Sequence, residues 1–416
     1  MSFNYIDLFA GAGGLSEGFI QSGFEPIAHV EIEKSACNTL RTRTAYHFLK
    51  NNNQYDTYVR YLKGDLSRSE LYKSVPEDIL NSVINLPIGD EFNNIIQQQI
   101  DVNLGNKKVD LIIGGPPCQA YSLVGRARSK NKMEGDPRNY LFIQYAKYLE
   151  KYAPKMFVFE NVLGLKSAKK GFYLQEMESL FASKGYQIKL FTIEAKNFGV
   201  LQNRKRIIIL GWKKDLKIRV PDLENIKIKS DHTVNDLLID LPNIKAGEGK
   251  DKFLNYTAST TDYLKTHSLR NGIDVLTQHV ARPHREQDKE IYKIAVQKWE
   301  KKKERLNYND LPERLKTHNN RTSFFDRFKV VAADLPYSQT VVAHIAKDGH
   351  YYIHPDPKQN RSISIREAAR LQSFPDDYYF EGEREGANRT AAFKQIGNAV
   401  PPLMAKLISE KIFKLL

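Results

Sequence analysis

Lys108-Val109-Asp110-Leu111-Ile112-Ile113-Gly114-Gly115-Pro116-Pro117-Cys118-Gln119-Ala120-Tyr121-Ser122 decides how the rest of the chain is read. The short apolar, β-branched run predicts a strand covered on both faces, as in a parallel sheet. Two glycines allow a sharp turn at its carboxyl end, and two prolines fix φ beyond it. Cys118 then stands where an open α/β sheet places its ligand crevice. A thiol held there suits nucleophilic attack. Taken by itself, the commoner role of a free cysteine is a small buried hydrophobe.

Upstream, Asn4 to Phe9 predicts a first strand, and Gly11-Ala12-Gly13-Gly14-Leu15 opens a helix. A glycine-rich strand-to-helix turn brings backbone N–H groups against an anionic ligand. The dinucleotide pattern G-x-G-x-x-G fails at Ser16, which disfavours a nicotinamide oxidoreductase. A second strand, Glu25 to Val30, ends at Glu31, placed to accept hydrogen bonds from a ribose diol. The competing role of Glu31 is a carboxylate at a helix N-terminus, since a helix is expected from Lys34 to about Thr42. Tyr58 to Leu62 is expected as a third strand ending in Gly64-Asp65-Leu66. There Asp65 would accept from an adenine amino group, with Phe9 and Ile32 on either side of the ring. Residues 68–107 read as a polar surface insertion without chemistry.

Downstream, residues 119–136 are basic and glycine-punctuated, with Arg126 and Arg128 among them, as in loops that close over substrates. A helix is expected from Arg138 to Tyr152. The run Lys155 to Val162 predicts another buried strand, ending in Glu160. A carboxylate at that edge is costly without a partner or a task, and burial would raise its pKa enough to protonate a ring nitrogen. Gln202-Asn203-Arg204-Lys205-Arg206 leads into a last strand, Ile207 to Trp212. Alternate arginines point to one face of a strand, where they can hold an oxyanion or carbonyl and pair with Glu160. As a plain surface ladder they would mean little.

After Trp212 the alternation of strand and helix stops. Residues 213 to about 385 are rich in Lys, Arg, Asn and His, and eight of the ten histidines lie there, including His279, His284 and His344. With no cysteine among them, hydrogen bonding to bases and phosphates is favoured over metal binding. The whole chain has 416 residues, 41% hydrophobic and 27% charged, enough for two domains of a globular protein. Two cysteines, Cys37 and Cys118, cannot build a disulfide framework, and no apolar run is long enough to span a bilayer. The net charge of +14 points to a polyanionic partner.

Six motifs occur in order: Asp7-Leu8-Phe9-Ala10-Gly11-Ala12-Gly13-Gly14, Gly115-Pro116-Pro117-Cys118-Gln119, Glu160-Asn161-Val162, Gln202-Asn203-Arg204-Lys205-Arg206, Arg370-Leu371-Gln372-Ser373-Phe374-Pro375 and Gln395-Ile396-Gly397-Asn398-Ala399-Val400-Pro401-Pro402. Together they resemble the DNA (cytosine-5) methyltransferases of prokaryotic or phage type, and they span nearly the whole chain. The resemblance implies an α/β fold: a doubly wound, mostly parallel, Rossmann-like sheet for S-adenosylmethionine, with a second, smaller, mostly irregular or β target-recognition domain. It sets the catalytic domain at 1–212, completed by 388–416, and the recognition domain at 213–387. It implies a cofactor site of Phe9, Gly11, Gly13, Gly14, Leu15, Glu31, Ile32, Asp65, Leu66 and Asn398. Cys118, Glu160, Arg204 and Arg206 would be catalytic, with Gln119, Ser122, Arg126 and Arg128 on the DNA. The expected reaction is methyl transfer to C5 of a flipped cytosine through a Cys118–C6 adduct, yielding S-adenosylhomocysteine and needing no metal. Double-stranded DNA is the expected partner of a cytoplasmic monomer, beside a cognate restriction endonuclease. Lys205 departs from the family, which often has an acid there. The rivals are a tRNA cytosine methyltransferase of the same fold and a catalytically silent DNA-binding protein.

Overall fold

The computed structural model describes residues 2–117, 140–386 and 388–416. Seven strands form the central sheet: β1 (Phe3–Leu8), β2 (Phe24–Val30), β3 (Val83–Ile84), β4 (Leu111–Gly114), β5 (Met156–Asn161), β6 (Tyr186–Glu194) and β7 (Lys205–Lys213). Their spatial order is β3-β2-β1-β4-β5-β7-β6. Strands β3 to β5 in that row run parallel, and β7 lies antiparallel between β5 and β6. The chain therefore winds outward in both directions from the β1–β4 seam, and the crevice opens at the carboxyl ends of those two strands.

The apolar runs are continuous because both faces are covered. Ile6, Ile112, Phe157 and Phe159 pack on one side with Ile96, Tyr145, Met177 and Phe181. Their neighbours Tyr5, Leu111, Ile113 and Val158 pack on the other with Phe19, Met404 and Ile408. The first side is supplied by the helices Asn93–Leu104, Leu141–Tyr152 and Phe172–Ser183. The second is supplied by Gly14–Gln21 and Pro402–Phe413, the latter opened by a proline at its first turn.

These last two helices touch at backbone distance. A Cβ on Gly18 would run into the Lys406 nitrogen and the Ala405 side chain. Ser409 Oγ donates to the Gly18 carbonyl at 3.1 Å. Gly18→Ala is therefore expected to destabilise the fold by about 1–3 kcal/mol through overpacking, although alanine is intrinsically the better helix former by roughly 1 kcal/mol. Urea unfolding checks the sign: a lower midpoint at unchanged slope is expected, and a raised midpoint contradicts the close approach.

Two expectations are corrected. Tyr58 to Leu62 is not a strand but part of the helix Tyr55–Lys63, because Tyr58, Tyr61 and Leu62 fall on one face and bury together against Tyr46, Leu49 and Tyr379. The third strand is Val83–Ile84, inside the stretch read as a surface insertion, and Ile96 and Ile100 beyond it are wholly buried against the sheet. Residues 68–107 thus contribute to the core.

The region 213–387 is mostly irregular, with one two-stranded ribbon (Gly249–Lys250 and His279–Val280) and one long helix, Glu286–Lys302. Apolar packing crosses both of its expected boundaries. Ile218, Val220, Leu223 and Ile226 lie against the sheet, while Ile365, Phe374 and Tyr378 pack with Ala12, Phe393 and Ile396. A core of its own is built around Ile291, Tyr292, Leu306, Tyr308 and Phe328.

Candidate active site

At the tip of β1 the chain turns through left-handed conformations at Phe9, Gly11 and Gly13, with φ of 58°, 55° and 78°. Gly13 caps the helix Gly14–Gln21 without any side-chain hydrogen bond to its first turn. Nothing lies within 4 Å of where a Gly11 Cβ would be, whereas Gly13 abuts Leu40 and Tyr378, and Gly14 abuts Val400 and Phe374. The turn is thus packed on one side and open on the other. Across the opening, Glu31 at the tip of β2 accepts the Gly11 and Glu33 N–H groups, each at 2.8 Å. Burial raises its pKa, with those backbone donors opposing the shift. Asp7, beneath the turn, is pushed well above the usual carboxylate range by burial and by the nearby Glu31. Ile32 is 60% exposed and Phe9 half-buried, so both keep apolar surface at the crevice. Leu15 is buried in the core below.

Asn398 is exposed at the end of the helix Arg389–Asn398, two residues before Val400, whose carbonyl lies against Gly14. It therefore joins the rim of the same turn. Asp65 and Leu66 do not. Asp65 is exposed in the turn after the helix Tyr55–Lys63, and Leu66 packs with Tyr46, Leu49 and Tyr61. The tip of β3 instead carries Asn85, whose Nδ2 donates to the carbonyls of Glu31 at 3.1 Å and Ile32 at 2.9 Å.

On the other side of the seam, Gly114 runs so close to Leu8 that a side chain there would strike its carbonyl. A Cβ on Gly115 would sit 2.6 Å from Glu160 Oε2. Glycine at 115 is thus what lets the proline-rich turn pass directly over the carboxylate at the end of β5. Asn161, buried beside Glu160, donates to the Pro116 carbonyl at 3.3 Å and tethers that turn. Glu160 Oε1 meets Arg206 Nε at 2.7 Å, with only 14% and 12% of the two side chains exposed. The pairing with Arg206 follows from the antiparallel placement of β7, which sets Ile207 opposite Asn161. Cys118, Gln119, Ser122, Arg126 and Arg128 lie outside the described residues.

Arg204 is the second correction at the site. It precedes β7, so the alternation of a pleated strand does not govern it. Its buried guanidinium donates to the carbonyls of Val341, Gly397 and Ala399 rather than to Glu160. Lys205 pairs with Glu194 on β6 at 2.9 Å, so the unusual lysine has an acid of its own. Among the histidines, His279 is buried between Ser364 and the Pro242 carbonyl, and burial pushes its pKa down to about 4. It holds loops together and does not face a groove. His284 likewise bonds Ser362 at 2.9 Å.

The structure also shows residues with no assigned role in the sequence reading. Besides Asn161, Gln202 is buried and reaches Leu371 and Gln372, and Arg43 joins Glu17 to Asp377 at 2.6 and 2.9 Å. A polar side chain next to the strand-end Glu160 was a signal for Asn161. Nothing local marked Arg43. Among the described residues, no group of three His, Cys, Asp or Glu side chains is placed to hold a metal ion, and no helix is long and apolar enough to cross a membrane.

A glycine turn after β1 and a mostly covered Glu160–Arg206 pair beneath Gly115 thus lie at the carboxyl ends of the strands of a doubly wound α/β sheet, where such sheets bind ligands. The comparisons with known proteins supply the family. The model of the C-5 cytosine-specific DNA methylases matches residues 3–65 and 83–414, and the chain belongs to that family. It is 43% identical to the type II methyltransferase M.Bpa9945I of Bacillus paralicheniformis, covering 98% of each chain. With M1.HphI of Haemophilus parahaemolyticus it shares 32% identity over 100% of this chain and 88% of that one. A solved E. coli prophage protein, assigned as a DNA modification methyltransferase, has the same fold with a TM-score of 0.66 at 22% identity, covering 99% of each chain. The chain is therefore a DNA cytosine-5 methyltransferase that uses S-adenosylmethionine.

Proposed function

We propose that this chain methylates a cytosine flipped out of double-stranded DNA, with Cys118 as nucleophile and the Glu160–Arg206 pair as the holder of the base. The observation that carries the assignment is the 2.7 Å pair lying directly beneath Gly115, three residues before the thiol. Cytosine C5 is a poor nucleophile. Addition of the Cys118 thiolate to C6 would push electron density onto C5, which would take the methyl group as the donor's S–CH3 bond breaks, leaving S-adenosylhomocysteine. Glu160 would bind N3 and the exocyclic amine, keeping the ring in the protonated form that accepts attack. Arg206 would hold O2 and fix the Glu160 carboxylate in place. Loss of the C5 proton to a base then releases the thiolate. A thiol cannot reach C6 within a stacked duplex, so the base must leave the helix.

The open side of the glycine turn fits S-adenosylmethionine. Gly11, Gly13 and Gly14 with the uncapped helix start would receive its methionine end, Glu31 the ribose, and Phe9 and Ile32 the adenine ring, with Asn398 on the rim. In that crevice the cofactor supplies an electrophilic methyl group. The strand on which Asp65 and Leu66 were expected is a helix, which leaves the adenine edge to the Glu31–Asn85 rim. Glu31→Ala should weaken S-adenosylhomocysteine binding by roughly tenfold or more, as for a lost hydrogen bond to a charged group, while leaving DNA affinity within about twofold. Titration calorimetry checks it. Unchanged cofactor affinity contradicts the ribose assignment.

The region 213–387, with its separate core around Ile291 and Phe328, is the proposed reader of sequence. The type II names of the relatives favour a modification enzyme paired with an endonuclease of the same site; its proposed setting is the cytoplasm, as a monomer. The test is incorporation of labelled methyl groups into duplex DNA and into tRNA, followed by methylation-sensitive sequencing of the DNA. Label in DNA at one short sequence is expected. Label confined to tRNA would favour the rival reading.

A further inference from the structure

Three alternate residues before and at the start of β7 reach into three different parts of the molecule. Gln202 accepts the Val341 N–H at 2.9 Å and donates to the Leu371 carbonyl at 2.8 Å. Arg204 donates to the carbonyls of Val341 at 2.6 Å, Gly397 at 3.1 Å and Ala399 at 2.7 Å. Arg206 holds Glu160. Val341 belongs to the recognition region, and Gly397 and Ala399 bracket Asn398 on the rim of the cofactor turn. Arg204 is wholly buried. A buried guanidinium is costly to desolvate, and what it provides in return is geometry, because its rigid fork of donors fixes several acceptors relative to one another. The junction is tight from the other side as well. A Cβ on Gly397 would strike the backbone of Val342 and Ala343.

We propose that Arg204 is a positioning residue that couples the cofactor rim to base capture. The inference rests on the functional reading above. A shift of the helix end at residues 397–399 on cofactor binding is passed through the Arg204 fork to Val341, and along two residues of backbone to Arg206 and Glu160. Linkage then requires the reverse effect, so DNA must tighten cofactor binding by the same factor.

The test measures S-adenosylhomocysteine affinity by calorimetry on the full chain, with and without a short duplex carrying the site found by methylation mapping. In wild type the duplex should tighten binding by about fivefold or more, within the usual range of such couplings. Arg204→Lys, whose single ammonium cannot span three carbonyls, should bring that ratio to within about twofold of unity. Arg204→Met, of similar length but without donors, should do likewise, and it stands in if the lysine variant fails to fold. Cofactor affinity without DNA should stay near the wild-type value in both. A merely structural role predicts lower melting temperature and weaker binding of both ligands at an unchanged ratio, and that result overturns the proposal. So does a wild type that shows no coupling. Failure of the mapping to find any methylated site overturns the functional reading itself.

Discussion

The Cys118→Ser enzyme is expected to transfer no methyl group and to keep its DNA affinity within about tenfold of wild type, since phosphate contacts supply most of that affinity. A serine hydroxyl lacks the accessible anion and the polarizable sulfur that make addition to C6 feasible near neutral pH. The turn at residues 115–117 is held by the approach of Gly115 to Glu160 and by the Asn161 tether on Pro116, and neither contact involves the substituted atom. The other thiol cannot replace it. Cys37 is wholly buried, donates to the Glu31 carbonyl at 3.3 Å, and has its pKa pushed up to about 12 by burial. With S-adenosylmethionine and a duplex carrying 5-fluorocytosine at the target position, wild type should form an adduct that survives denaturation, because fluorine stands where the C5 proton would leave and cannot depart as a cation. The serine variant should form none. Full activity in the variant, or no adduct from wild type, would sink the covalent route.

Glu160→Gln should slow the chemical step by roughly 10²-fold or more, the scale of a lost general acid. Glutamine keeps the shape and can still meet Arg206, but it cannot protonate N3. The amide also leaves Arg206 without its charge partner in a site where each side chain is mostly covered, which adds to the loss. Cofactor affinity should hardly change, since Glu31 and Glu160 stand on opposite sides of the β1–β4 seam. Single-turnover methylation at saturating DNA reads the first effect, and calorimetry with S-adenosylhomocysteine reads the second. A Glu160 variant that no longer binds cofactor contradicts the assignment.

The central strands were legible because Leu111–Gly114, Met156–Asn161 and Lys205–Lys213 are unbroken or nearly unbroken apolar runs with chemistry at their ends. The third strand was not. Val83–Ile84 is two residues long, too short to carry a pattern, while Tyr58 to Leu62 has the aromatic and β-branched composition of a strand. Its helical face became decisive only through packing on Tyr46 and Tyr379, the latter more than 300 residues away in sequence. Arg204 and Arg206 were read as a pair because they alternate. One residue decides otherwise: the strand begins at Lys205, so only Arg206 obeys its pleat. The buried roles of Gln202, Arg43 and His279 depend on partners contributed by remote loops, which no local pattern announces.

The seating of Gly18 against Ala405 and Lys406 has a consequence for synthesis. The Gly18 carbonyl waits for a hydroxyl 391 positions later in the chain, that of Ser409. At a translation rate of about 5–20 residues per second, roughly 20–80 s pass between the two. For that interval the underside of the glycine turn has no cover, and Gly14 has neither Phe374 nor Val400 against it. The sheet face that packs on Met404 and Ile408 should therefore stay open to solvent, and to proteases, until the helix Pro402–Phe413 is delivered.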